Sequence, residues 1–375
     1  MDLDLNTDQH MFRETSARFM QDQCPLTKVR ALAEHATGVE PDYITQAAEL
    51  GWFSLLVPED LGGGTLGEHG LLDAVIVAEE LGKAMQPGPF LPHNVVIHAL
   101  AESGSAQQQA DILPALMAGE QLASWALATP AGNWDLDNSS VTVSEAGDSY
   151  VLNGAKGFVQ DAHLADWLLV TAPVAGGLGQ FLVAAKTPGV RLEALTSFDL
   201  GRRFSHVHFA DVAVPASALV GIAGAAADAV ERQFQIALAL QNAETLGLME
   251  WLFTAMVDYS RERIAFGRPI GSFQALKHIM ADQALVLETC RAGAAALARV
   301  VAEQGEDAGE VASMTKAFIG EQAVEMAQQS LQIHGGIGCT WEFDLHLFLR
   351  RASVNSALYG APGWHRERLC RYHGL

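Results

Sequence analysis

Tyr259-Ser260-Arg261-Glu262-Arg263-Ile264-Ala265-Phe266-Gly267-Arg268-Pro269-Ile270-Gly271-Ser272-Phe273-Gln274-Ala275-Leu276-Lys277-His278 is the stretch on which the reading of the fold turns. At its centre Pro269 stands between Gly267 and Gly271, a combination that ends helices and makes turns. Tracts rich in Ala, Leu, Gln, Glu and Met flank it, over about 225–262 and about 273–331, and these residues favour helix. Proline is excluded from helix interiors, and after Pro215 only Pro269 and Pro362 occur. The second tract is too long to run unbroken, and 303–309 is the obvious break. The C-terminal third therefore reads as a helical bundle with long antiparallel members.

Upstream the texture changes. Between about 122 and 220 come short alternating runs such as Val141-Thr142-Val143, Tyr150-Val151-Leu152 and Val207-His208-Phe209, separated by turn residues. Gly147-Asp148 and Asn153-Gly154 read as hairpin dipeptides, because each tolerates positive φ. An antiparallel pattern without interleaved helices predicts a small barrel or sandwich and argues against a βαβ nucleotide fold. Before it, amphipathic stretches at 7–21, 42–51, 71–85 and 107–117 predict helices. The expected architecture is α+β in three units: a helical domain over 1–121, a β domain over 122–222 and a helical bundle over 223–375.

Composition narrows the function. Twenty-three Lys and Arg against forty-four Asp and Glu leave a net charge of −21, which repels nucleic-acid phosphates, so no nucleic-acid partner is expected. No apolar run approaches the roughly 18 residues a membrane-spanning helix needs. The start, with Asp2, Asp4 and Asp8 and no basic segment, resembles neither a secretory signal nor a transit peptide, and a cytoplasmic location is expected. Cys24, Cys290, Cys339 and Cys370 are far apart, so neither a zinc site nor a disulfide framework is indicated. His206 and His208 share one strand face without a third ligand nearby, and no metal site is expected. Gly62 to Gly64 and Gly335-Gly336 do not continue into GxGxxG or GxxxxGK[ST], and HExxH and GxSxG are absent.

The opening stretch, 259–278, resembles the acyl-CoA dehydrogenase family. A second block, Gln332-Ile333-His334-Gly335-Gly336-Ile337-Gly338-Cys339-Thr340-Trp341-Glu342, is similar to that family's C-terminal flavin motif, with Cys339 where an aromatic is usual. Glu49-Leu50-Gly51-Trp52-Phe53, the loop through Gly64, and Ala78-Glu79-Glu80-Leu81-Gly82-Lys83 extend the resemblance over nearly the whole chain. The resemblance implies bound FAD. It implies that Arg263, Phe266 and Gln274 reach across a subunit interface to the adenine and pyrophosphate half of a neighbour's FAD, with Gln332 and Gly336 in the equivalent places of the second block. A guanidinium offers forked donors to a diphosphate, and glycine lets backbone N–H groups approach its oxygens. Phe266 and Gln274 have the alternative of simply packing the helix turn. At the isoalloxazine end a T-E-P-G-A-G-S-D-like turn is usual, and here Ala128-Thr129-Pro130-Ala131-Gly132-Asn133-Trp134-Asp135 keeps the proline and loses the usual hydroxyls. Asn153-Gly154-Ala155-Lys156-Gly157-Phe158-Val159-Gln160-Asp161 resembles the flavin-covering segment, which makes Phe158 the stacking candidate and Gln160 a polar contact; the alternative is an ordinary strand leaving a hairpin.

The family reaction removes an α-proton from an acyl-CoA thioester while hydride leaves the β-carbon for flavin N5, and so requires a base. The resemblance places that base in a Y-E-G-T-like turn, where this chain has Tyr359-Gly360-Ala361-Pro362-Gly363, or in an E-R-like pair, where it has Ala237-Leu238. Neither holds an acid. Glu244, seven residues or roughly 10 Å along the same helix face from Ala237, is the candidate by elimination, with a structural polar contact as its alternative. Phe198-Asp199-Leu200-Gly201-Arg202-Arg203, Leu358-Tyr359-Gly360 and His365-Arg366-Glu367-Arg368-Leu369 resemble a divergent branch that includes subunits of heteromeric steroid side-chain dehydrogenases. Two readings stay open: an FAD-dependent acyl-CoA dehydrogenase with an unconventional base, and a catalytically silent subunit completing the FAD site of a heteromer. Oxidase or monooxygenase chemistry is a third. A homo- or hetero-oligomer, dimer or tetramer, is expected, with an electron-transferring flavoprotein as the implied electron acceptor.

Overall fold

The computed structural model describes residues 5–136 and 138–375; Asp2 and Asp4 of the acidic start lie outside the described residues. The first helix begins where a reciprocal capping box satisfies its free N–H groups: Gln9 N donates to Asn6 Oδ1 at 2.8 Å, and Asn6 N donates to Gln9 Oε1 at 3.0 Å. This helix, α1 (Thr7–Gln23), is followed by α2 (Leu26–Leu32), α3 (Pro41–Glu49), α4 (Gly70–Lys83), α5 (Phe90–Ser103), α6 (Ala106–Asp111) and α7 (Leu113–Met117). The stretch expected as one helix over 107–117 is therefore two. Pro114 has no N–H for a continuing helix and its ring would meet the carbonyl four residues back, so the first helix stops at Ile112 and the second restarts with the proline in its first turn.

Two four-stranded sheets follow, built from β1 (Ala123–Ala126), β2 (Val141–Glu145), β3 (Ser149–Gln160), β4 (Trp167–Val174), β5 (Gly177–Ala184), β6 (Val190–Leu195), β7 (Phe204–Pro215) and β8 (Leu219–Val220). Their orders are β1-β4-β5-β8 and β2-β3-β7-β6, and the alternate residues Val141, Leu152, Val170, Phe181, Val207 and Val212 form the buried core of this sandwich. The pairing is antiparallel except that β1 runs parallel to β4, which the local pattern did not reveal. Gly147-Asp148 turns β2 into β3 as expected. Asn153-Gly154 does not make a hairpin: it lies inside β3, at a register shift against β7 between Leu152 and Gly154.

The C-terminal bundle contains α8 (Ala227–Glu262), a two-residue hairpin of β9 (Ile264–Ala265) and β10 (Arg268–Pro269), then α9 (Gln274–Ala302), α10 (Ala308–His334), α11 (Leu345–Ala357) and α12 (Pro362–Tyr372). The turn around Pro269 and the break after Ala302 fall where the sequence puts them. The two helical layers share one apolar core, in which α8 packs on both α4 and α5. Gly82 and Gly247 allow this: a Cβ on Gly82 would overlap the Glu244 carbonyl oxygen, and one on Gly247 would overlap that of Glu79. The close crossing brings Lys83 Nζ within 3.1 Å of Glu79, 2.9 Å of Glu80 and 2.8 Å of Glu250. Among the described residues no helix is long and apolar enough to cross a membrane.

Candidate functional site

Where the sandwich meets α11 and α12 lies a cavity of about 530 Å³. Phe158 forms one wall. A register shift between Lys156 and Val159 lifts it out of the β3–β7 ladder, its φ is +51°, and its ring stays 38% exposed. Behind it the fully enclosed Lys156 Nζ donates to Leu127 O at 2.8 Å and Ser139 Oγ at 3.3 Å, tying β3 to the segments around the 128–135 turn. Burial pulls the Lys156 ammonium down to about 8. Trp134 and Trp364 supply further aromatic walls, and the segment from Leu195 to Phe198 and the end of α11 complete the slot. Two polar groups of these lining residues, Ser197 Oγ and Trp364 Nε1, are buried without a partner among the described residues. A planar heteroaromatic with ring nitrogens and carbonyls suits such a slot, both by its aromatic walls and by these unmatched groups. The lining includes no Asp, Glu, His, Lys, Arg, Cys or Tyr.

The other isoalloxazine candidate is placed differently. Gln160 is buried, and its Nε2 donates to Gly88 O at 3.3 Å and to Asp161 Oδ2 at 3.1 Å, so it clasps the loop between α4 and α5 and is not part of the slot wall. The one hydroxyl present in the 128–135 turn is used internally, since Asn133 N donates to Thr129 Oγ1 at 3.1 Å. Trp134 and Trp364 went unread in the sequence. Trp134 stands in the turn that departs from the family pattern, the signal that could have found it.

The two expected base positions are occupied by packing. Tyr359 and Gly360 both have positive φ, +60° and +101°. A Cβ on Gly360 would lie 2.5 Å from Trp364 Cε3 and 2.9 Å from His365 Nε2. Around Tyr359, Trp134, Trp125 and Phe234 close in at ring separations of 5.0, 6.0 and 6.3 Å. Ala237 is completely buried on α8. Glu244 is 5% exposed and holds two arginines at once: Arg351 Nη1 donates to its Oε1 at 2.8 Å, and Arg202 Nη2 donates to its Oε2. Arg351 also pairs with Asp199, and Arg202 Nη1 reaches Asn355 Oδ1 at 2.6 Å. Burial alone would lower the Arg351 guanidinium, but Asp199 and Glu244 outweigh it and hold the group charged. Glu244 does not line the slot.

The five adenine-end candidates sit together on the opposite end of the bundle helices. Tyr259 stacks on His334 with ring centroids 4.3 Å apart, so the end of α8 adjoins the end of α10. Arg263, Phe266, Gln274, Gln332 and Gly336 are all exposed; Phe266, at φ +53°, is 95% exposed, and added Cβ atoms on Gly335 and Gly336 would meet only open space. None of the five lines the slot.

Family models of the acyl-CoA dehydrogenase N-terminal, middle and C-terminal domains match residues 6–120, 124–212 and 227–372. Acyl-CoA dehydrogenase IpdE2 of Mycobacterium tuberculosis is 31% identical over 95% of this chain and 94% of its own length. The ChsE4-ChsE5 complex from Mycobacterium tuberculosis superposes with a TM-score of 0.90 at 25% identity, covering 100% of this chain and 99% of that one. PigA with FAD and proline superposes at 0.89 with 26% identity over 100% of both chains. Three domain matches in chain order, a relative at this identity over nearly the full length, and a slot between the sandwich and the bundle lead to one conclusion: the chain belongs to the acyl-CoA dehydrogenase family.

Proposed function

We propose that this chain is the FAD-binding, base-lacking subunit of an acyl-CoA dehydrogenase that works with a second, base-bearing chain. One observation carries the reading: the slot is lined by aromatic, aliphatic and hydroxyl side chains and by no residue able to take a proton. The two positions where the family resemblance puts a base hold a glycine packed against Trp364 and a buried alanine, and Glu244 is held by two guanidinium groups. The likeness to a two-chain complex, ChsE4-ChsE5, supports the same division of labour.

In this reading FAD supplies the hydride acceptor, flavin N5, for α,β-desaturation of an acyl-CoA thioester. Phe158 covers one ring face, Trp134 and Trp364 keep the slot dry, and Ser197 offers a hydroxyl to a ring heteroatom. Arg263, Phe266, Gln274, Gln332 and Gly336 stand free on the surface to hold the diphosphate and adenine of a neighbouring chain's cofactor. An electron-transferring flavoprotein would be the electron acceptor.

The test is anaerobic mixing of the flavin-loaded chain with acyl-CoA, alone and after co-expression with a family member bearing a glutamate at either base position. Bleaching of the flavin band is expected only with the partner. Bleaching by the chain alone would return the base to this chain and remove the proposal.

A further inference from the structure

Glu244, read from the sequence as a base, has a different use in the fold, and what it holds borders the slot. The segment 195–204 does two jobs at once. Leu195, Thr196, Ser197, Phe198 and Phe204 face the cavity, while Asp199 and Arg202 between them are buried and ionically tied. On the facing wall, α11 contributes Ser353, Val354 and Ala357 to the cavity, and two residues before Ser353 it sends Arg351 backwards to Asp199 and Glu244. Arg350 adds an outer contact, its guanidinium 4.8 Å from the Phe198 ring centroid and its Nη1 3.1 Å from Phe198 O. The two walls of the slot are thus joined across their backs. Among the described residues Glu244, on α8, is the only group that binds both arginines, one from each wall.

Two acids and two bases balance within this cluster, so removing the charge of one member leaves an uncompensated buried guanidinium. The rest of the surroundings compensates weakly: Arg351 Nη2 has no partner among the described residues, Gln86 gives Arg351 Nη1 only a backbone oxygen at 3.2 Å, Asn355 gives Arg202 a neutral oxygen, and Asp161, the further carboxyl that feels Arg202, is itself pushed toward its neutral form by burial. The adjoining void around Arg202 and Glu244 is about 20 Å³, room for about one water.

We propose that Glu244 is a positioning residue: with Asp199, Arg202 and Arg351 it sets the separation of the two slot walls and hence the fit of the planar ligand between them. This deepens the FAD reading above and rests on it for the identity of the ligand. The isosteric variants Glu244→Gln and Asp199→Asn test it in the assembly that holds FAD. Each is expected to weaken flavin binding at least about tenfold, equivalent to about 1.4 kcal/mol, and to shift the visible band of the flavin that remains bound. The double variant leaves both guanidinium groups without a carboxylate of the cluster and is expected to depart from the sum of the two singles, because the four residues act as one network. Hydrogen exchange is expected to rise in 195–204 and 351–361 and to stay unchanged in α1 and α9. If Glu244→Gln does not fold, Arg202→Lys, which keeps the charge and loses the forked donors, takes its place. Unchanged affinity, band and local exchange with loss of acyl-CoA reduction would make Glu244 the base and overturn the proposal; additive singles with exchange raised throughout would also overturn it. If wild type holds no FAD, the functional reading fails, and the exchange pattern alone still decides the role of Glu244.

Discussion

Gly360 is held at φ +101°, and Trp364 and His365 occupy the space where its side chain would start. This decides what happens if a glutamate is restored at the usual base position. A side chain on such a backbone costs about 1–2 kcal/mol, and forcing it into filled space costs about 1–3 kcal/mol more. Gly360→Glu is therefore expected to lower the urea midpoint and to yield no flavin reduction by acyl-CoA; a stable variant that reduces its flavin would show that the turn opens. Lys316 makes a second residue-level case. It is enclosed on α10, its Nζ donating to Gln241 Oε1 at 2.6 Å and to Asn355 O, with no carboxylate partner among the described residues and with Arg202 and His365 as charged or titratable neighbours. Burial first, then the Arg202 charge, lower it from 10.5 to about 7. The unfolded chain thus keeps a proton that the folded one has released between about pH 7 and 10.5. Stability contributed by this group rises with pH across that window, by at most about 1.4 kcal/mol per unit. Lys316→Met is expected to flatten the rise; urea unfolding at pH 7, 8, 9 and 10 measures it, and parallel profiles for variant and wild type would show that Lys316 stays charged when folded.

At the scale of elements, the crossing of α4 and α8 depends on two glycines that each admit a carbonyl of the other helix. Gly247→Ala adds one methyl where no space exists, and overpacking of this kind costs about 1–3 kcal/mol. The expected outcome is a lower denaturation midpoint together with lost Lys83–Glu250 pairing; an unchanged midpoint would mean the helices part without penalty. The same elements explain what the sequence reveals. The C-terminal helices are legible because proline is absent from their interiors and because the 303–309 segment breaks the pattern. α5 is harder to read: Phe90 to Leu100 is buried on nearly every side, so its apolar residues show no helical period, and Pro92 near its start looks like a breaker while it only fills the first turn. Asn153-Gly154 has the chemistry of a hairpin and serves as a bulge, since β3 already has its partner turn at Gly147-Asp148. The site divides in the same way. Phe158 is legible through its neighbours in sequence, whereas Trp364 meets Trp134 and Phe158 from the far end of the chain, and the Asp199–Arg351–Glu244–Arg202 lattice joins residues up to 152 positions apart, and no local pattern records such meetings.

For the whole molecule, the question is where the cofactor's two ends are held. The slot that suits a flavin ring lies between the sandwich and the α11–α12 end of the bundle, and the residues matching the adenine-end motifs lie exposed around the β9–β10 hairpin and the end of α10, none of them on the slot. In the proposed reading one chain presents two half-sites, and each takes its complement from another chain. Exposed apolar side chains near the second half-site, Ile264, Phe266 and Ile337, are the kind of surface that a partner covers. Arg263→Ala removes a charged donor, worth about 1.5–3 kcal/mol when it meets an ionised acceptor, without touching the slot of its own chain. In a homomer that loss is expected at every flavin. In a heteromer it is expected only at flavins whose ring lies in the partner chain, while those seated in this chain's slot keep their affinity. Native mass spectrometry with flavin counting distinguishes the two: the variant homomer loses FAD uniformly, the variant heteromer splits into a retained and a released population, and wild type with fewer flavins than chains marks half-sites that have no complement. A wild-type monomer that keeps one FAD in solution would contradict the two-chain arrangement, because the guanidinium of Arg263 would then have no diphosphate to meet.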